Sequence, residues 1–420
     1  MTAPLTKILI ENALIFDGVQ GQLEEGGVLI FGDRIASIGA FGWTAEDLVR
    51  IDAGGRVVMP GLIDAHVHAY ATRGDLRAIE SIPPSLLALQ AKAILEAMLL
   101  RGFTTVRDAG GADAGLAQAV EDGLIAGPRM FVSGRALSQT GGHGDGRRAG
   151  EICGCDSGVL ARVVDGADAV RAAARDELRR GAHQLKIFVS GGVASPTDPI
   201  WMRQFSDAEI AAAVEEAASR RTYVLAHAYT AESIERAVNL GVRSIEHGNL
   251  IDRRTALLVA DRDAFVVPTM VTYEALGEDE QRALSPAMFE KLATVARSAE
   301  DAVALCHVNG VRLGFGTDLL GSMHRFQSRE FALRGRVQHP LDVLRSATSI
   351  NAELLMAAGD LGTIAPGARA DLLIVNGDPI EDLSLLERPQ ESLALIVKDG
   401  RIVYRQPGFA GVAAPDRAPA

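Results

Sequence analysis

The sequence predicts an α/β fold: a (β/α)8 TIM-type barrel with a small β-sandwich domain formed from both termini. Three observations predict it. The first sixty residues are short strands rich in Ile, Leu and Val, broken by Gly and Asp turns, with no helix between them. From Gly61, short apolar runs alternate with long Ala/Leu/Glu/Arg stretches. After residue 360 the chain returns to strands.

In the first block the strands are residues 7–16, 27–31, 34–39 and 56–59, with turns at Asp17-Gly18 and Gly32-Asp33. The barrel strands are 62–68, 103–108, 130–133, 184–190, 222–227, 244–247, 264–269 and 311–317. Helices are expected over 84–101, 114–126, 168–180, 207–220, 231–240 and 286–309. The closing strands are 362–364, 370–375, 393–398 and 401–404, the last two joined by an Asp399-Gly400 hairpin turn. The expected organisation is therefore a β domain from 1–60 with 361–405, a catalytic barrel over 61–360, and a Pro/Ala-rich mobile tail over 406–420.

Hydrophobic residues make up 48% of the 420 and charged residues 23%, as in a folded globular protein. The net charge is −12, so no basic excess exists to neutralise phosphates, and nucleic acid is not an expected partner. Three cysteines (Cys153, Cys155 and Cys306) are too few for a disulfide framework, and one Cys-x-Cys pair does not make a cysteine zinc site. The N-terminal residues lack the basic and apolar regions of a secretory signal, and no apolar run is long enough for a bilayer. A cytoplasmic location without membrane contact is expected.

In a barrel, reactive groups sit at the C-terminal ends of the strands. The first strand ends in Asp64-Ala65-His66-Val67-His68, and alternation puts His66 and His68 on one face, spaced to chelate one ion. The fifth ends at His227, the sixth at His247 and the eighth at Asp318. Neutral imidazole suits zinc and similar divalent ions. Lys186 lies inside the apolar fourth strand, where burial disfavours a free ammonium. Two resolutions are open on the residue's own physics. The neutral amine can capture CO2 as a carbamate that bridges two cations, or the lysine can pair with an Asp or Glu.

With these residues in place, the chain resembles the amidohydrolase superfamily over nearly its full length. The resemblance is carried by residues 60–68 (PGLIDAHVH), Lys186, His227, His247, Gly316-Thr317-Asp318 and the segment 362–371 (GTIAPGARAD). It implies two divalent metal ions, zinc being expected, with His66 and His68 on one and His227 and His247 on the other. It also implies a carbamylated Lys186 as bridge and Asp318 as metal ligand and proton shuttle. Within that superfamily the chain looks most like prolidases and Xaa-amino-acid carboxypeptidases, a group that includes ochratoxin-hydrolysing amidases. The motifs are residues 140–145 (TGGHGD), 186–199 (KIFVSGGVASPTDP) and 227–230 (HAYT). By similarity, His143 would contact the scissile carbonyl and Tyr229 the substrate carboxylate. His324-Arg325-Phe326-Gln327 stands where many relatives have His-Gly-x-Asn, so His324 and Arg325 are candidate substrate contacts, with Arg135 a further one.

The expected activity is hydrolysis of a dipeptide or N-acyl amino acid with release of its C-terminal residue, ochratoxin A being one candidate substrate. Action on a cyclic amide, urea or carbamate is the alternative. A non-catalytic scaffold is disfavoured because all six ligand positions are present. The resemblance also implies a homo-oligomer.

Overall fold

A computed structural model describes residues 7–39, 48–151, 158–195, 197–278 and 285–413. The strands are, in order, β1 (Lys7–Ile15), β2 (Glu24–Phe31), β3 (Arg34–Gly39), β4 (Leu48–Asp52), β5 (Val57–Pro60), β6 (Leu62–Val67), β7 (Phe103–Asp108), β8 (Arg129–Val132), β9 (Ala136–Ser138), β10 (Ala161–Val163), β11 (Leu185–Phe188), β12 (Val224–Thr230), β13 (Ser244–Leu250), β14 (Phe265–Val267), β15 (Arg312–Leu313), β16 (Leu372–Val375), β17 (Leu393–Lys398), β18 (Arg401–Arg405) and β19 (Val412–Ala413).

The chain divides into two compact units: residues 1–63, 98–105 and 339–420 in one, 64–97 and 106–338 in the other. The first contains a sheet of β1–β5 and β16–β19, in the order β18-β17-β16-β5-β1-β2-β3, with β4 and β19 branching from β1. Strands from the two ends of the chain meet where β5 pairs antiparallel with β16, Val57 opposite Val375 and Pro60 opposite Leu372. Alternate residues such as Ile8, Ile10, Val28, Ile30, Leu372, Ile374, Leu395 and Val397 point into one buried core. The β17–β18 hairpin turns at Asp399 and Gly400, both with positive φ (47° and 66°), the backbone an Asp-Gly turn provides. The segment expected to be a tail from residue 406 carries, among its described residues, the buried Phe409 and strand β19, whose Val412 pairs with Ile51 of β4. Residues 362–364, expected to be a strand, form none.

The second unit carries most of an eight-stranded α/β barrel whose strands are β6, β7, β8 and β11–β15. β11 to β15 run parallel in sequence order. The ring closes where Ala65 N–H donates to Phe315 O (2.8 Å) and Asp318 N–H to His66 O (2.8 Å). On the other side of the ring His183 N–H donates to Val132 O (2.7 Å). Helices fill the crossovers, and several are started by a side chain that accepts a backbone N–H. Ser206 and Glu209 make a capping box, and Thr230, Asp252 and Ser285 cap the following helices. The helix expected over 286–309 is two, Pro286–Arg297 and Ala299–Val308, meeting at Ser298. Helices Arg253–Asp261 and Met270–Glu278 and strands β9 and β10 were not expected from the sequence. Cys306 is buried, and burial pushes its thiol pKa up to about 12, whereas Cys153 and Cys155 lie outside the described residues. Among the described residues no helix is long and apolar enough to cross a membrane.

Candidate metal centre

The barrel brings His66, His68, Lys186, His227, His247 and Asp318 to the wall of one cleft of about 460 Å³. The histidine rings pack together, His66 with His68 edge to face at 5.3 Å between centroids, His227 with His247 edge to face at 4.7 Å and His66 with His247 tilted at 5.2 Å. Asp318 Oδ1 lies 3.4 Å from His66 Nε2 and 3.2 Å from His68 Nε2. Two ligands each about 2.1 Å from one tetrahedral ion are themselves about 3.4 Å apart, so these separations suit a shared zinc-sized cation. The ligating atoms of His66, His247 and Asp318 all fall within 4.8 Å of one another.

Each histidine has one ring nitrogen bonded to a group outside the six, while the second nitrogens of His66 and His68 face Asp318 Oδ1. His66 Nδ1 bonds Glu246 Oε2 (2.6 Å), His68 Nδ1 bonds Gly110 O (2.8 Å), and His247 Nδ1 bonds Thr269 Oγ1 (2.8 Å). His227 is held the other way round, by Nε2 to Gly191 O (3.2 Å). A carbonyl or carboxylate acceptor draws the ring proton to its own side, and in His66, His68 and His227 this would leave the second nitrogen to ligate a metal, while the Thr269 hydroxyl can donate or accept. Glu246 is itself gripped by the fully buried Arg107, whose Nη2 donates to both carboxylate oxygens at 2.9 Å.

The electrostatics fit the same chemistry. Burial holds the pKa values of His227 and His247 well below the ordinary imidazole value, which keeps both rings neutral. Burial opposes ionisation of Asp318, but the charge and hydrogen bond of His66, with the His68 bond, hold its pKa well below the usual carboxylate range. Burial also lowers the Lys186 pKa to about 8, against the pull of Glu246 and Asp318. Lys186 Nζ lies 5.4 Å from the Phe188 ring centroid, and among the described residues it makes no ion pair. Neutral rings at His227 and His247 and an ionised Asp318 are donor states a divalent ion needs, whereas at His68 the hydrogen bond and charge of Asp318 outweigh burial and raise the pKa.

Backbone strain gathers here too. His247 (φ 77°), Asp318 (φ 51°) and the β-branched Thr269 (φ 48°) are left-handed, a conformation costing about 1–3 kcal/mol each that persists only where packing imposes it.

His143 joins the cleft from the segment between β9 and β10, stacked on His227 at 4.4 Å. Tyr229 sits between His227 (4.8 Å) and His247 (5.2 Å), its pKa raised by burial. The helix Met270–Glu278 adds Thr272, Tyr273 and Leu276 to the wall. Sequence reasoning ended the strand at residue 269 and did not expect the helix that follows, so it missed these three. Glu330 Oε2 accepts the Val271 N–H (2.7 Å) where this helix starts.

Neither His324 nor Arg325, expected to be substrate contacts, is among the residues that line the cleft. His324 is buried with Nε2 toward Ala71 O (3.3 Å), and Arg325 lies over the Phe326 ring (4.1 Å) and donates to Ser322 O (2.7 Å). Arg135 is engaged by Glu177, at 2.9 and 3.0 Å.

Residues 57–403 match the amidohydrolase family, and the chain belongs to that family. It is 32% identical to ochratoxinase of Aspergillus niger over 372 residues, spanning 84% of this chain and 76% of that one. A crystal structure of a prolidase complexed with N-methylphosphonate-L-proline is 46% identical, with a TM-score of 0.93 over 96% of this chain and 100% of the other. A Xaa-Pro dipeptidase with bound methionine in its active site is 31% identical, with a TM-score of 0.85 over 95% and 100% of the two chains. This protein is therefore a hydrolytic enzyme acting on amide bonds.

Proposed function

We propose that this enzyme uses two divalent ions to hydrolyse the amide bond of a dipeptide or N-acyl amino acid, releasing the C-terminal amino acid. The observation that carries the reading is the ring of six donors at one end of the barrel. Every histidine in it has one nitrogen committed to the protein and one turned to the cleft. The prolidase, Xaa-Pro dipeptidase and ochratoxinase relatives support the substrate class.

His66, His68 and Asp318 would hold one ion, and His227 and His247 the other. Lys186 would bridge them as a carbamate. Its neutral Nζ attacks the carbon of CO2 and loses a proton, leaving a carboxylate-like anion. Bound ions would supply Lewis acidity at the carbonyl and activate water at neutral pH. Asp318 takes the water's proton and passes it to the leaving amine, because an amide anion is too basic to leave unprotonated. His143 faces the carbonyl oxygen as charge develops there. The Tyr229 hydroxyl donates to the substrate carboxylate.

Metal analysis combined with a substrate panel tests this: Xaa-Pro, Xaa-Lys, Xaa-Arg and Xaa-Phe dipeptides, N-acyl amino acids including ochratoxin A, and cyclic amides. Chelation should abolish hydrolysis and zinc restore it. Turnover of the cyclic amides alone would overturn the reading. Tyr229→Phe should raise KM about tenfold for substrates with a free carboxylate, the loss of one charge-assisted hydrogen bond. An equal effect on their C-terminal amides would refute that role. Glu246→Gln should weaken zinc binding about 10–100-fold, as measured by competition with a chromogenic chelator, because it frees the His66 ring from its anionic partner.

A further inference from the structure

The loop that follows β11 touches two of the functional histidines. Gly191 O accepts from His227 Nε2 (3.2 Å). Ser195 Oγ lies 2.6 Å from His143 Nδ1, and the fully buried Asp198 carboxylate lies 3.5 Å from the same nitrogen. Gln204 closes the arrangement. Its Oε1 accepts the His143 backbone N–H (2.9 Å), while its Nε2 donates to Asp198 Oδ2 (3.1 Å). Asp198 Oδ2 also accepts the Gly192 N–H (2.9 Å). A Cβ at Gly192 would collide with the His143 ring, so the loop backbone lies directly against that imidazole.

Beside these bonds, one ammonium from a distant helix gathers the loop's carbonyls. Lys291, in Pro286–Arg297, donates from Nζ to the carbonyls of Gly192 (3.0 Å), Ser195 (3.0 Å) and Asp198 (2.5 Å). An ammonium has three N–H donors, and here all three go to carbonyls of one loop. The Asp198 carboxylate lies 3.9 Å from the same nitrogen, which offsets the desolvation of a side chain only 15% exposed. Three carbonyl dipoles converging on one point repel one another unless a cation sits among them.

We propose that Lys291 is a positioning residue, whose ammonium clamps the backbone at Gly192, Ser195 and Asp198 and through Ser195 and Asp198 sets the imidazole of His143 for the reaction. This rests on the reading that places His143 at the scissile carbonyl. Lys291 touches no substrate. Its effect is transmitted by the angle and depth of the His143 ring.

The test is a double-mutant cycle on the full-length, metal-loaded enzyme with the best substrate of the panel above. Lys291→Met keeps the stem and removes the three donors. It should lower kcat about 10–100-fold, the scale of a misplacement near 1 Å, with KM changed less than about threefold. In a His143→Ala background the same substitution should cost less than about twofold, because the group it positions is gone. Hydrogen–deuterium exchange over 191–195 should quicken in Lys291→Met. An equal proportional loss in both backgrounds, a change confined to KM, or an unimpaired kcat would each overturn the proposal. If Lys291→Met does not fold, Ser195→Ala runs through the same cycle, and simple additivity with His143→Ala is the refuting result. An unimpaired His143→Ala enzyme would remove the underlying reading instead.

Discussion

Lys186→Ala is expected to lower kcat/KM by about 10³-fold or more, equivalent to about 4 kcal/mol of transition-state stabilisation. Nζ is the only polar group this side chain offers, and it stands buried among four histidines and Asp318 with no ion pair among the described residues. A lysine kept only for packing would be replaced by methionine without penalty. One kept as a carbamate would not, since methionine cannot capture CO2. Metal content should drop below two ions per chain in Lys186→Ala. Acetate or propionate, supplying a carboxylate where the carbamate stood, should restore part of both metal content and rate. Full activity without additive would sink the bridging role, and a mass increase of 44 Da on intact Lys186 in native mass spectrometry would support it directly through the chemistry of CO2 addition.

Asp318→Asn is expected to lower kcat by about 10²–10⁴-fold, the range for losing a general acid–base group, while leaving most of the metal in place. The amide keeps one oxygen near His66 and His68, so a ligand atom survives at Oδ1. What is lost is the carboxylate's capacity to take a proton. The surrounding histidines keep Asp318 ionised in the folded protein, so the base is ready at neutral pH. The limb of the kcat/KM profile that reports this base should vanish in the variant. Loss of both ions along with activity would instead make Asp318 chiefly a ligand, and an unchanged rate would remove the shuttle role altogether.

These effects differ in origin, and so does their legibility. His66 and His68 could be paired from strand alternation alone, and Lys186 stood out as a charge in an apolar run. Their positions at strand ends followed from counting alternating strands and helices. The Asp399-Gly400 hairpin was equally readable, because its two left-handed residues are a local demand on the chain.

Other features had no local signature. The bond between His66 and Glu246 joins residues 180 positions apart, and that between His143 and Ser195 joins residues 52 apart. Lys291 reads as an ordinary polar position on an amphipathic helix, and its partners lie 93–99 residues away. Tyr273 lies on a helix, Met270–Glu278, that was not expected from the sequence. Arg325 looked available for a substrate carboxylate until the fold laid it over Phe326.

By itself, then, the sequence determined the barrel and the β strands at both chain ends, which follow from periodicity, and it offered six candidate donors, four histidines and Asp318 by strand-end position and Lys186 as a bridge through the family resemblance. Tertiary structure alone decided which nitrogen of each histidine bonds the protein, and that the loop after β11 meets both His143 and Lys291. Those choices depend on hydrogen bonds between distant segments, and only packing brings such segments within reach.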